Sequence, residues 1–182
     1  YSLWSNLTIF WGCGTNLHRT PYNARNHEYY SEDAVLTSGQ AVAFISGGKE
    51  YGVIIAPKHL AFNDTEINRT GVSVFMTEQQ ARENELRGTQ ASIEDAGALG
   101  IMTAFNRVGI TAANAHTGLL KNILRGEWGF KGLESQDFIM NPNYAVLKEY
   151  ALNGGTMTTF TGENTMAAVS EKFAYWTTEN VG

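Results

Sequence analysis

Five short apolar, β-prone runs, each passing directly into a segment crowded with Arg, Lys, His, Asn, Asp or Gly, constrain this chain more than any other feature. The runs are Leu7 to Trp11, Val53 to Ala56, Ile101 to Phe105, Leu133 to Phe138 and Thr156 to Phe160. They are followed by GCGTNLHR, PKHLAFND, NRVG, the QDF ending and TGEN. Longer amphipathic stretches separate them, and that alternation is the sequence sign of βαβ units with a parallel sheet. In such folds ligands bind at the carboxyl ends of the strands, which is where this chain concentrates its polar chemistry. The distribution predicts an α/β fold of the (β/α)8 TIM-barrel type, of which about five consecutive units are visible.

The clearest helix opens on the capping box Thr77-Glu-Gln-Gln80, continues through Ala81, Leu86, Gln90 and Ile93, and stops at Gly97 and Gly100. A second carries Leu119, Leu120, Ile123 and Leu124 along one side. Further helices are expected over residues 40–45, 144–152 and 167–176. No repeat or low-complexity linker divides residues 1–182, so the reading is one domain.

The chain has 182 residues, 43% hydrophobic and 17% charged, which suffices for one sizeable core. Its net charge of -5, without a run of Lys or Arg, excludes the electrostatic footprint of a nucleic-acid binder and makes anionic membranes poor partners. No apolar stretch is long enough to span a bilayer, no signal peptide is legible at the N-terminus, and the compartment stays undetermined. Cys13 is the one cysteine and reads as a buried spectator; neither metal nor organic cofactor is implied. Asn6, Asn63 and Asn68 fit the glycosylation pattern and are read as chance matches.

Three positions stand out chemically. Lys58 and His59 adjoin the run GVIIAP; neighbouring side chains of a regular strand point to opposite faces, so both reach one ligand only if the backbone turns, and Pro57 allows that. A rim Lys beside a satisfied His is the alternative. Asp137 ends a strand, where a carboxylate can attack an anomeric carbon or bind a hydroxyl, although an ordinary surface Asp also fits. Arg25 lies among Tyr22, Tyr29 and Tyr30; its fork suits vicinal hydroxyls, and pairing with Glu28, Glu32 or Asp33 is the competing role.

Together these segments resemble glycoside hydrolase family 3, whose members include β-glucosidases and β-xylosidases. WGCGTNLHRTPYNARNHEYYSEDAVLTSG, KHLAFNDTEINR, MTAFNRV, NAHTGLLKNILRGEWGFKG and the Ser-Gln-Asp ending follow in the family's order. The intervals of 33 positions from Arg25 to Lys58 and 79 from Lys58 to Asp137 also fit. The resemblance implies a retaining β-glycosidase acting on β-linked glucosides or oligosaccharides, with Asp137 as nucleophile, and with Arg25, Lys58, His59 and Phe105 at the substrate. It implies that nearby Lys58 and Arg25 keep Asp137 ionised. It also implies that the parent protein supplies further barrel strands and a downstream domain with the general acid/base, so that this stretch alone turns over little or nothing. Glu163 is the nearest local candidate for that acid, a loop carboxylate or helix cap being its ordinary role.

The sequence departs from the family at Phe105, where many members have Tyr, at Gln136 in place of Ser or Thr, at Glu134 in a normally apolar strand position, and at Cys13 in place of a frequent Pro. Two rival readings remain: a non-catalytic sugar-binding relic, and a lyase or aldolase barrel with a Schiff base on Lys58.

Overall fold

The computed structural model describes residues 8–138, 146–159, 167, 170 and 171. Along the chain come β1 (Ile9–Gly14), α1 (Ala34–Glu50), β2 (Ile54–Leu60) and β3 (Ser73–Val74). A helical run then opens at Glu78–Gln80, widens to π form over Ala81–Glu85 and continues as α2 (Arg87–Glu94). After it come β4 (Gly100–Thr103), β5 (Arg107–Val108), β6 (Thr111–Ala112), a π-type helix over Gly118–Glu127, β7 (Leu133–Gln136) and α3 (Leu147–Leu152). Strands β1, β2, β4 and β7 form one parallel sheet in that spatial order.

The helices pack against this sheet and against one another, each turning apolar residues inward. α1 buries Ala41 and Ile45, the second helical run Ala81, Leu86 and Ile93, and the π-type helix Leu119, Leu120 and Leu124. Four residues of the β4 strand, Gly-Ile-Met-Thr, are all buried, as expected of a parallel strand covered on both faces. Thr77 accepts a hydrogen bond from Gln80 N at 3.1 Å, as its capping box predicts. At the other end Gly97, at φ 62°, donates back to Ile93 O, an αL stop that needs a left-handed residue, and Ala98 donates to Ser92 O.

Gly132 sets the entry to β7, because a Cβ there would lie 2.2 Å from the Leu99 carbonyl oxygen, which itself accepts from Leu133 N. Gly132→Ala is expected to cost about 2 to 3 kcal/mol through forced backbone movement, measurable as a lowered urea midpoint at unchanged m-value.

Four expected strands are present with shifted ends. β2 runs on to Leu60, so Lys58 and His59 lie within the strand instead of beyond it. The fifth is a single parallel bridge between Ser135 and Met157 among the described residues; Phe160 lies outside them. The helix expected over 40–45 spans Ala34–Glu50 because Asp33 caps it, accepting from Leu36 N at 2.6 Å. Of the helix expected over 144–152, α3 accounts for the described part, and most of 167–176 lies outside. The small sheet β3-β5-β6 was not expected, since two-residue strands are too short to show alternation.

Candidate active site

Two irregularities at the carboxyl end of β2 bring adjacent side chains to one place. On the β1 side the pairing skips from Trp11–Ala56 to Gly14–Lys58, and on the β4 side from Lys58–Met102 to Leu60–Thr103. Pro57, with no N–H to give the ladder, falls in the first gap. Bulges of this kind break the alternation that would send Lys58 and His59 to opposite faces. Asn16 fixes the result from the next loop: its amide donates to His59 O at 3.0 Å and its Oδ1 accepts from His59 N at 2.9 Å.

His59 is 2% exposed, and its Nε2 lies 3.4 Å from Asp137 Oδ2. Burial, then the neighbouring charges of Arg25, Lys58 and Arg69, drives its pKa well below the ordinary histidine value, so the ring is neutral. Its tautomer follows from the polar groups behind it. The Tyr29 hydroxyl accepts from Asn63 Nδ2 at 2.8 Å, leaving its own proton for His59 Nδ1 at 3.0 Å. The remaining ring proton is then on Nε2, aimed toward Asp137.

Asp137 follows β7 and is 8% exposed. Its Oδ1 accepts from Phe138 N at 2.8 Å, and its Oδ2 faces His59 and the Arg69 Nη1, 3.6 Å away. Burial pushes this carboxyl above its ordinary value, against the pull of the Phe138 N–H and of Arg69, Arg25 and Lys58. Arg25 and Lys58 favour the ionised form, as expected, but they act against desolvation, and Arg69 is the foremost of the cations that oppose it.

The cations are held by carboxylates. Arg25 contacts Glu28 Oε2 through Nε at 2.7 Å and Nη2 at 2.6 Å, while Lys58 Nζ takes Glu28 Oε1 at 2.5 Å. Lys58 and Arg25 thereby outweigh burial and keep Glu28 below the usual carboxylate range. Glu66 plays the same part opposite, meeting Arg25 Nη1 at 3.3 Å and Arg69 Nη1 at 3.1 Å and accepting from Asn63 Nδ2 at 2.8 Å. Arg69 lies over the ring of Phe105, 4.6 Å from its centroid, so Phe105 serves as a platform for that guanidinium.

Arg25, Lys58, His59, Phe105 and Asp137 therefore belong to one connected cluster, joined by Glu28, the carboxylate weighed as a partner of Arg25, and by Tyr29, Asn63, Glu66 and Arg69, to which the sequence assigned no part in the site. All five lie in the quoted loop segments, but only the fold tells which polar residues of a loop turn inward. Asn63, read as a chance glycosylation match, is 1% exposed and donates to both Tyr29 and Glu66. Glu163 lies outside the described residues. A carboxylate oxygen flanked by a neutral imidazole N–H and a guanidinium, with polar forks around it, suits attack on an electrophilic carbon bearing hydroxyls. A separate cavity of about 490 Å³, lined by Phe62, Val108, Leu119 and Ile123 among others, is mainly apolar and contains none of these groups.

The model of the glycosyl hydrolase family 3 N terminal domain matches residues 6–155. Over 130 residues, or 71% of this chain, it is 38% identical to a probable β-glucosidase J of Emericella nidulans, and over 123 residues, or 68%, it is 37% identical to a β-glucosidase of Rhizobium radiobacter. The matched part spans about 15% of the length of each of these relatives. Among solved structures, β-glucosidase 3B of Thermotoga neapolitana in complex with α-D-glucose superposes with TM-score 0.86 at 29% identity, over 94% of this chain and 24% of that one. A family 3 β-glucosidase of Bifidobacterium adolescentis gives 0.85 at 26% identity, over 98% of this chain and 25% of that one. The parallel sheet and its helices are a section of a TIM-type barrel. By its family-model match and its shared sequence, this chain belongs to glycosyl hydrolase family 3.

Proposed function

We propose that this chain contributes the nucleophile and part of the sugar subsite of a retaining β-glycosidase acting on terminal β-D-glucosides. Asp137 Oδ2 attacks the anomeric carbon; the bond from that carbon to the aglycone oxygen breaks, and the departing oxygen takes a proton from a carboxyl group expected on a downstream domain of the parent protein. Water then adds at the same carbon, its proton passing to that carboxylate, and Asp137 is released. Arg25, Lys58, His59 and Arg69 hydrogen-bond sugar hydroxyls, with Phe105 setting the height of Arg69. These contacts favour the reaction to the extent that they tighten as the ring flattens. What carries the reading is the approach of His59 and Arg69 to one oxygen of Asp137, at 3.4 and 3.6 Å.

The test is covalent labelling of the full-length protein by a 2-fluoro β-glucoside, followed by peptide mapping. A glycosyl adduct on Asp137 supports the reading; failure to label would favour the sugar-binding relic. Lys58 is held by Glu28 and not set in an apolar pocket, which counts against a Schiff base. Tyr29→Phe removes the hydroxyl that selects the His59 tautomer, and kcat/KM for an aryl β-glucoside is expected to fall about 10- to 100-fold in steady-state assays.

A further inference from the structure

Away from Asp137, a second set of charges joins three parts of the fold. Arg19 lies in the loop after β1, six positions before Arg25; Asp64 follows Asn63 in the loop after β2; Glu85 ends the π-form turn of the helical run. Arg19 Nη1 contacts Asp64 Oδ2 at 2.5 Å, and its Nε is 3.5 Å from Glu85 Oε1. The π turn is what brings Glu85 inward. Leu86 N donates to Ala81 O at 2.8 Å, five residues back, and the widened turn lets Ala81, Glu85 and Leu86 all be buried.

The cluster has one guanidinium for two carboxylates. Asp64 Oδ1 and Glu85 Oε2 are buried without a hydrogen-bond partner, and Glu85 is 4% exposed. Arg19 and Asp64 reach solvent, whereas the Glu85 side chain is only 3% exposed, so of the two carboxylates Glu85 is the one favoured as the neutral acid. Burial and the Asp64 charge push Glu85 up to about 7, against the pull of Arg19. Asp64 is also raised by burial, with Arg19 opposing. The two loops tied here are those that carry the sugar clamp. Their other bonds include Asn23 Nδ2 to Asn63 O and Glu66 N to Asn23 O, both at 3.3 Å.

We propose that the Arg19–Asp64 pair locks the loops after β1 and β2 to each other, that the Glu85 carboxyl behind it governs how fully Arg19 is given to that pair, and that these three positioning residues so set the spacing of Arg25 from Lys58, His59 and Arg69. The proposal rests on the reading of those residues as a sugar clamp. With Glu85 neutral, Arg19 serves Asp64 alone and the lock is tight. Once Glu85 ionises, the two carboxylates compete for Arg19 and the lock loosens. Glu85 touches no reacting atom, so its titration acts on substrate affinity and not on the chemical step.

The experiment follows the full-length protein and its Glu85→Gln variant from pH 6 to pH 8. The wild-type KM for an aryl β-glucoside is expected to rise about fivefold relative to the variant, with kcat in the two unchanged relative to each other. Amide NMR shifts of residues 15–25 and 61–70 should show a transition near pH 7 that Glu85→Gln abolishes. In Asp64→Asn, which removes the competing charge, that transition should move to lower pH. Identical profiles in wild type and Glu85→Gln overturn the proposal, as does a variant that only melts earlier with its KM profile intact. An NMR transition lost in Glu85→Gln, in a protein that hydrolyses no glycoside, would uphold the lock and refute the glycosidase reading instead.

Discussion

Asp137→Ala in the full-length protein is expected to lower kcat/KM for an aryl β-glucoside on the order of 10⁴- to 10⁶-fold, while glucose still binds. The two oxygens of the Asp137 carboxyl group are placed differently. Oδ1 is committed to the Phe138 N–H, whereas Oδ2 faces a neutral imidazole and a guanidinium that can steady its charge without neutralising it. Substituting alanine removes the attacking atom and leaves Arg25, Lys58, His59 and Arg69 in place to hold hydroxyls. A small anion such as azide should then enter the vacated volume, form a bond to the anomeric carbon from the Asp137 side and release the aglycone. The product is the glycosyl azide of inverted configuration, identifiable by NMR. Full activity in Asp137→Ala would refute the assignment, and an inactive variant that azide does not rescue would show that Asp137 serves folding or binding instead.

The second large effect concerns stability. Glu134 lies in β7, 0% exposed, and neither carboxyl oxygen finds a hydrogen-bond partner. Burial pushes its pKa up to about 8, with Arg125 and Tyr150 acting in the opposite sense. An unfolded glutamate titrates near 4.3. Between these values the folded chain binds a proton that the unfolded chain has given up, so stability falls as pH rises through this window and is lowest above it. The difference amounts to about 3 to 5 kcal/mol across the whole window, a large share of the stability of any single domain. Glu134→Leu, which has no proton to lose, should therefore gain most over wild type at pH 8 and least at pH 5, measured by urea denaturation at each pH. Equal pH dependence in the two proteins would mean that Glu134 is solvated or paired in solution.

Much of this could be read before any coordinates. The apolar runs at 53–56 and 101–105 predict strands because their side chains are buried, and the apolar side of 119–124 predicts which way that helix faces. The polar loops predict where the chemistry gathers. Less legible were features that depend on position in space. Lys58 and His59 converge because β2 is bulged against both neighbours, and no local pattern announces a bulge. Glu28 and Glu66 carry the same letters as any surface carboxylate, yet each bridges two cations across segments far apart in the chain. Glu134 could be flagged as an odd residue in an apolar run, but its charge state is set by its burial, against the pull of Arg125 and Tyr150. Arg69 was invisible for the opposite reason: it sat in a quoted motif among several plausible polar residues, and only its place over Phe105 singles it out.

β1 stands at one margin of the sheet, hydrogen-bonded to β2 on one side and, among the described residues, bridged on the other only through Gly14 to Tyr29. Its sequence, Ile-Phe-Trp-Gly-Cys-Gly, has neither the charges nor the proline with which natural margins repel company. Phe10 packs on Phe44 of α1, and both remain partly in water beside the exposed Val35 and Leu36. A surface of that kind is a template: whatever extended segment reaches it first, native or foreign, gains a ready ladder and an oily bed. Solubility of this stretch is thus governed by what occupies that seam, quite apart from how well its interior is packed.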